Sequence, residues 1–253
     1  MIKQFCKHIV RAYLRLLVLI VIKRYHPDII AISGVTNKST VKRLIAARLT
    51  AKGKVVRITP RNLNTTFGLP LAVMAIEPQG WSASTWLRTL LLATKTTLFN
   101  HGFPPLLVLE FGVSEQGDMK QLLRIIRPRA AVLTNAIPSY YNPNATLDEL
   151  TSEITQLVEA LPRDGFLVYN ADDERLVSIA HNYTGLKLSY GIGERAEVRA
   201  TNIMRIADGL QWHSNGSVYK SPQVGEHHIY ALEATLATEQ CLLNDTTLPL
   251  NTN

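Results

Sequence analysis

Apolar residues in this chain fall into short continuous runs separated by longer amphipathic stretches. Ile29–Ser33 reads as a β-strand, and Ser39–Ala51 as a helix with Val41, Leu44, Ile45 and Leu49 on one face. Lys54–Ile58 is a second strand. Leu106–Phe111 is a continuous apolar run interrupted only by a glutamate near its end, as suits a strand buried on both faces. Met119–Ile126 is helical and stops before Pro128. Ala130–Thr134, Leu147–Leu161 and Phe166–Tyr169 follow as strand, helix and strand. This alternation predicts an α/β fold: a three-layer, doubly wound, mostly parallel sheet whose ligands sit beyond the carboxyl ends of the strands. From about Lys187 to Tyr219, short strands with turns at Gly191, Gly193, Gly209 and Gly216 predict a small antiparallel edge. A last helix runs from about His228 to Leu243. The expected division is a basic, apolar helix over 1–27, one domain over 28–243 and a tail over 244–253.

Three chemically suggestive features fall at predicted strand ends: the loop at Gly34, Glu110, and Thr134-Asn135. Ile30-Ala-Ile-Ser-Gly-Val-Thr-Asn-Lys-Ser-Thr40 is a phosphate-binding loop (P-loop) in outline, with a buried strand, a tight turn and a helix N-terminus whose N–H groups face an anion. In such a loop Lys38 reaches the terminal phosphates and the Ser39 hydroxyl holds Mg²⁺. The spacing is shorter than in the common Gly-x₄-Gly-Lys version. Asn37 also stands where glycine normally lets the backbone turn at positive φ; asparagine is one of the few other residues that tolerates that conformation.

Charge sharpens this picture. The formal net charge is +7, and 14 of the 27 basic residues lie at or before Arg61, where Asp28 is the only acid. Such a segment suits phosphate ligands, nucleic acid or an anionic membrane face. Nucleic acid is disfavoured, because no recognition motif or interleaving of aromatic and basic residues accompanies the charge. Cys6 and Cys241 are too few and too far apart to suggest a disulfide framework, which points to a reducing cytoplasm. Residues 9–22 are strongly apolar, but Arg11 and Arg15 interrupt them, and Leu16–Ile22 is far short of the roughly 20 residues of a spanning helix. Two readings stand: a helix packed on the sheet edge, or an interfacial helix that turns Lys3, Lys7, Arg11, Arg15, Lys23 and Arg24 to lipid headgroups at the inner membrane face.

Six ordered segments carry a family resemblance. They are Ile32-Ser-Gly-Val-Thr-Asn-Lys-Ser-Thr40; Asn62-Leu-Asn-Thr-Thr-Phe-Gly-Leu-Pro70; Leu109-Glu-Phe-Gly112 followed by Gly117-Asp118; Arg127-Pro-Arg-Ala-Ala-Val-Leu-Thr-Asn135; Asn170-Ala-Asp-Asp173; and Gly225-Glu-His-His-Ile-Tyr230. Together they resemble the central ATP-binding domain of the Mur ligases over about Ile29 to Leu243. The nearest branch adds D-alanyl-D-alanine to the UDP-muramoyl-tripeptide of peptidoglycan. The resemblance implies that ATP phosphorylates a carboxylate and that an amine then attacks the acyl phosphate. It further implies nucleotide binding by Gly34, Val35, Thr36, Asn37, Lys38, Ser39, Thr40 and His227, with Lys38 and Glu110 serving catalysis. Ser39 and Glu110 would hold Mg²⁺, and Asn62, Asn64, Thr65 and Asn135 would lie toward a UDP-muramoyl-peptide.

The departures from that pattern set the alternatives. Where the family has a histidine and a carbamylated lysine for a second Mg²⁺, the alignment gives Tyr140 and Ile154; its adenine-side asparagines become His228 and Ala231. The family's uridine-nucleotide and amine-substrate domains are not expected within these 253 residues. The chain is therefore expected to be impaired alone, or completed by a second chain; a non-catalytic scaffold near the membrane, or a piece of a longer gene, is the alternative. Several residues have plain structural readings. Asp172 and Asp173 suit an N-cap and turn, His181 and His213 the surface, Trp81–Phe99 a core or interface segment, and Tyr140–Tyr141 beside Asn142-Pro143 an ordinary turn.

Overall fold

The computed structural model describes residues 2–58, 63–80, 82–99, 102–113, 115–138 and 146–244, with side chains from residue 8 onward. Asn62, Trp81, Tyr140–Pro143 and Asp245–Asn253 lie outside the described residues. Helix α1 (Ile2–Tyr25) leads into β1 (Asp28–Ser33), α2 (Lys38–Ala51), β2 (Val56–Ile58), α3 (Gly68–Met74), α4 (Ala83–Phe99) and β3 (Leu106–Glu110). Then come α5 (Asp118–Leu123), β4 (Ala130–Leu133), α6 (Leu147–Glu159), β5 (Phe166–Asn170), α7 (Glu174–His181), β6 (Leu186–Gly191) and β7 (Val198–Arg199). Strands β8 (Thr201–Ile206), β9 (Gly209–Ser214) and β10 (Ser217–Ser221) precede α8 (Glu226–Asn244).

The strand order is β2-β3-β1-β4-β5-β6-β7, with every pairing parallel. Because side chains alternate across a strand, β1 sends Ile29 and Ala31 to one core and Ile30 and Ile32 to the other. The first core is roofed by α1 and α3–α7, the second by α2 and α8. Leu14, Leu17, Val18 and Val21 of α1 are buried in that first core, so α1 lies with the helices of one face rather than at the sheet edge.

The antiparallel segment starts later than its glycines suggest. Leu186–Gly191 and Val198–Arg199 extend the parallel sheet, and only β8–β10 form the separate three-stranded antiparallel sheet. Its core of Leu210 and Trp212 closes on Ile229 of α8. The glycines answer a different demand. A Cβ at Gly191 or Gly193 would lie 2.6 or 2.3 Å from the Asp172 carboxylate.

The chain winds outward from β1 to β2, returns through β3 and crosses to β4, so the direction of winding reverses around β1. The crevice at such a reversal, beyond the carboxyl ends of the strands, is where doubly wound sheets bind ligands. It is bordered here by the ends of β1, β3 and β4.

Candidate nucleotide site

Gly34 opens the loop between β1 and α2 at φ 129, a left-handed backbone region that side chains rarely adopt. A Cβ there would also lie 2.2 Å from Thr134 Oγ1 and 2.8 Å from the Asn135 carbonyl oxygen. The loop therefore presses directly on the end of β4, and β4 grips it in return. Val35 and Thr36 N–H donate to Asn135 Oδ1 (3.2 and 3.0 Å), Asn135 Nδ2 donates to Thr36 Oγ1 (2.7 Å), and Thr134 Oγ1 donates to the Thr36 carbonyl (2.7 Å). Asn135, expected on the substrate side, engages the loop with both ends of its carboxamide. The end of β4 is itself braced: Tyr190 Oη donates to the Leu133 carbonyl and Asn170 Nδ2 to the Thr134 carbonyl.

Asn37 takes the left-handed conformation expected of it, with φ 66, and is the N-cap position of α2. Its side chain makes no capping bond to the first turn; Nδ2 instead donates to the His227 carbonyl at the start of α8 (2.7 Å). The helix N-terminus, with its inherent demand for acceptors or an anion, thus receives nothing from the Asn37 side chain. Ser39 and Thr40 are half-buried in that first turn.

Lys38 Nζ donates to the carbonyls of Gly34 (2.7 Å) and Val35 (2.9 Å), folded over the loop it follows. Burial lowers its pKa below the usual lysine value, and the negative charge of Glu110 partly opposes that shift. Glu110 ends β3 directly beside β1, where Ile32 is its register partner and Phe111 N–H donates to the Ile32 carbonyl. Its Oε1 lies 2.6 Å from Lys42 Nζ, and both side chains are only 2% exposed. Sequence reading did not single out Lys42. The signal was its place among Val41, Ile45, Ala46 and Leu49 on the buried face of α2, since a lysine there requires an anionic partner.

Of the other expected residues, Asn64 reaches the same strand end. Its carbonyl accepts from Gly112 N–H, and its side chain fills the space a Cβ at Gly112 would need. Thr65 Oγ1 accepts from the N–H of Gly68, the first residue of α3 (3.2 Å). The His227 ring lies tilted against the His228 ring, centroids 4.0 Å apart, and it is the backbone carbonyl of His227 that meets the loop. Ile154 is buried in the core, and Ala231 in the one opposite.

The Asp172-Asp173 pair is structural. Asp173 caps α7 and accepts from Ala136 N–H, while Asp172 accepts from Ile192 and Gly193 N–H and from Tyr230 Oη. Glu153, buried on α6, likewise accepts from Gly117 and Met119 N–H at the start of α5.

Residues 32–238 match the family model described as the Mur ligase middle domain. The chain is 25% identical over 211 residues to the UDP-N-acetylmuramoyl-tripeptide–D-alanyl-D-alanine ligase of Bacillus subtilis, covering 83% of this chain and 40% of that protein. Among solved structures, MurF from Acinetobacter baumannii superposes with a TM-score of 0.71 at 20% identity, over 93% of this chain and 48% of the other. MurF ligase from Thermotoga maritima, solved in complex with ADP, gives 0.68 at 18% identity over 94% and 50%. The chain thus spans less than half the length of the curated relative and about half of each solved one.

Proposed function

The chain belongs to the Mur ligase family, and we propose that it is the ATP-handling part of a carboxylate–amine ligase of peptidoglycan precursor synthesis. The observation that carries this reading is the Gly34–Lys38 loop in the crevice of the sheet, gripped by Asn135 and followed by a helix N-terminus that Asn37 leaves uncapped. In this reading the N–H groups of the first turn of α2 receive the nucleotide's phosphates, and Lys38 leaves the Gly34 and Val35 carbonyls to meet them. That exchange costs little, because one set of oxygen acceptors replaces another. The Lys38 charge, already desolvated, acts more strongly there than it would in water. Asn135 keeps the loop in its receiving shape. A UDP-muramoyl-peptide would supply the carboxylate, with Asn64 toward it. The match spans 40% of the Bacillus subtilis relative, so this reading concerns the ATP side of the reaction.

Mg²⁺ is the metal the family implies. The Glu110 carboxylate and Ser39 hydroxyl are hard oxygen donors of the right kind, and a carboxylate buried as Glu110 is requires a cation, a demand met here by Lys42 Nζ at 2.6 Å from Oε1. The residues fit the metal in kind, although Lys42 already balances the carboxylate charge. Ser39 and Glu110 would hold the ion, which supplies neutralisation of phosphate charge when bound.

That same Lys42–Glu110 pair favours a second reading, a non-catalytic descendant that binds without turnover, because a built-in cation occupies the carboxylate's attention. Titration calorimetry with ATP and Mg²⁺ tests the first reading. Binding is expected, and Lys38→Ala should weaken it by at least about tenfold, the loss of one charge-assisted contact. An absence of heat in wild type would abandon the nucleotide reading in favour of the scaffold.

A further inference from the structure

Helix α1 carries large apolar residues on its outer face as well as its inner one, and only the inner face is covered. Its inner face enters the core through Leu14, Leu17, Val18 and Val21, while Ile9, Leu16, Leu19 and Ile20 face outward. Its neighbour α4 has the same design. Thr89, Ala93 and Thr97 face inward, and Leu87, Leu91, Leu92, Leu98 and Phe99 form an exposed stripe at helical spacing, with Leu91 62% and Phe99 68% exposed. The two helices are joined by a Tyr13 Oη–Thr94 Oγ1 bond (2.6 Å) and by Arg24 Nη1 donating to the Leu98 carbonyl (3.1 Å), so their outer stripes are neighbours.

Charge identifies the occupant. Across both helices there are eight Lys or Arg residues and no Asp or Glu. Arg15 and Lys23 of α1 and Arg88 and Lys95 of α4 are exposed among the leucines. We propose that the paired α1–α4 surface docks on an anionic lipid bilayer, with the leucines and Phe99 entering the interface and the four cations meeting headgroup phosphates. A second copy of this chain is a poor occupant, because a symmetric contact would set cation against cation. A bilayer rich in anionic lipid offers apolar depth and negative charge together without shape complementarity. Among the described residues no helix is long and apolar enough to cross a membrane, so the pair would lie on the surface. This inference is independent of the nucleotide site, which is built on other elements.

Co-sedimentation of the 253-residue chain with vesicles tests it, comparing pure phosphatidylcholine with an equal mixture of phosphatidylcholine and phosphatidylglycerol. The chain should pellet with the mixed vesicles, stay in solution with the neutral ones, and be released by high salt, which screens the headgroup attraction. The double variant Leu91→Glu/Phe99→Glu alters two exposed positions. It should keep the wild-type melting temperature while its partition onto mixed vesicles falls at least about tenfold. Failure of the wild type to pellet with mixed vesicles overturns the proposal, as does equal pelleting of the variant. A salt-resistant dimer that the same variant dissociates would also overturn it, assigning the surface to a second copy.

Discussion

Lys42→Met tests the electrostatics at the end of β3 directly. The substitution keeps the length and apolar stem of the side chain, so Val41 and Ile45 retain their packing, but it leaves Glu110 buried at 2% exposure without its cation. Removing one partner of such a pair costs about 3–5 kcal/mol, because the remaining charge stays desolvated. At about 2–4 °C per kcal/mol for a chain of this size, the melting temperature should fall by on the order of 10 °C. Lys38 also feels Glu110, but its Nζ is held by the Gly34 and Val35 carbonyls; rescue by Lys38 would require it to abandon both. Adding Glu110→Gln should restore much of the loss, giving a coupling of about 2–3 kcal/mol in a double-mutant cycle. The assay is urea unfolding of the four proteins by far-ultraviolet circular dichroism. A Lys42→Met penalty below about 1 kcal/mol, or strict additivity of the two changes, would refute a tight buried pair. The cycle also bears on Mg²⁺. With Lys42 gone, the Glu110 charge becomes available to a cation, so millimolar Mg²⁺ should raise the melting temperature of Lys42→Met more than that of wild type. Equal shifts would show that Lys42 and the ion do not compete.

Gly34→Ala should abolish ATP binding in calorimetry and cost more than about 2 kcal/mol of stability, since its Cβ meets Thr134 Oγ1 at 2.2 Å on a backbone at φ 129; unchanged binding would mean that the loop is not pressed against β4. Asn37→Gly keeps the backbone conformation, removes a side chain from the phosphate path and loses the bond to the His227 carbonyl. ATP should bind more tightly while stability changes by no more than about 1 kcal/mol, and weaker binding would show that the tie to α8 matters more than access. The ATP affinity should decline with rising pH below the ordinary lysine value of 10.5, because burial lowers the Lys38 pKa and phosphate binding favours the ammonium. Stability moves the other way, rising with pH between the lowered folded pKa and the unfolded one, where the unfolded chain holds more protons; an affinity profile flat to pH 10.5 would remove Lys38 from the site.

The strands of the main sheet were legible because burial on both faces leaves little choice of residue. Ile29–Ser33, Leu106–Phe111 and Ala130–Thr134 differ from β1, β3 and β4 by one residue at an end. Helices α3 and α4 were not legible as helices, each for its own reason. Gly68–Met74 is buried throughout, so it shows no amphipathic period, and Pro70 reads as a breaker although it sits in the first turn, where proline is tolerated. In α4 Leu87, Leu91, Leu92 and Leu98 face outward and only Leu90 packs on the core, so the apolar pattern does not mark a core-facing stripe. Gly191 and Gly193 looked like hairpin turns because glycine usually signals a bend; here it makes room for Asp172, a contact that exists only once β6 lies beside β5.

The site divides along the same line. Gly34, Asn37 and Lys38 are recognisable because their functions depend on near neighbours in sequence: a strand end, a left-handed turn and a helix start. What Glu110 does depends on Lys42, 68 positions earlier in the numbering and brought close by the parallel pairing of β1 with β3. A strand-end carboxylate beside a phosphate loop reads as a metal ligand when it is considered alone. Beside a buried ammonium 2.6 Å away it is first a structural counter-ion, and any Mg²⁺ at Ser39 and Glu110 must share or displace that partner. The strength of the metal site is therefore set less by the two oxygen donors than by a lysine on the inner face of α2, which is why the Lys42→Met titration with Mg²⁺ separates a working ligase site from a retained fold.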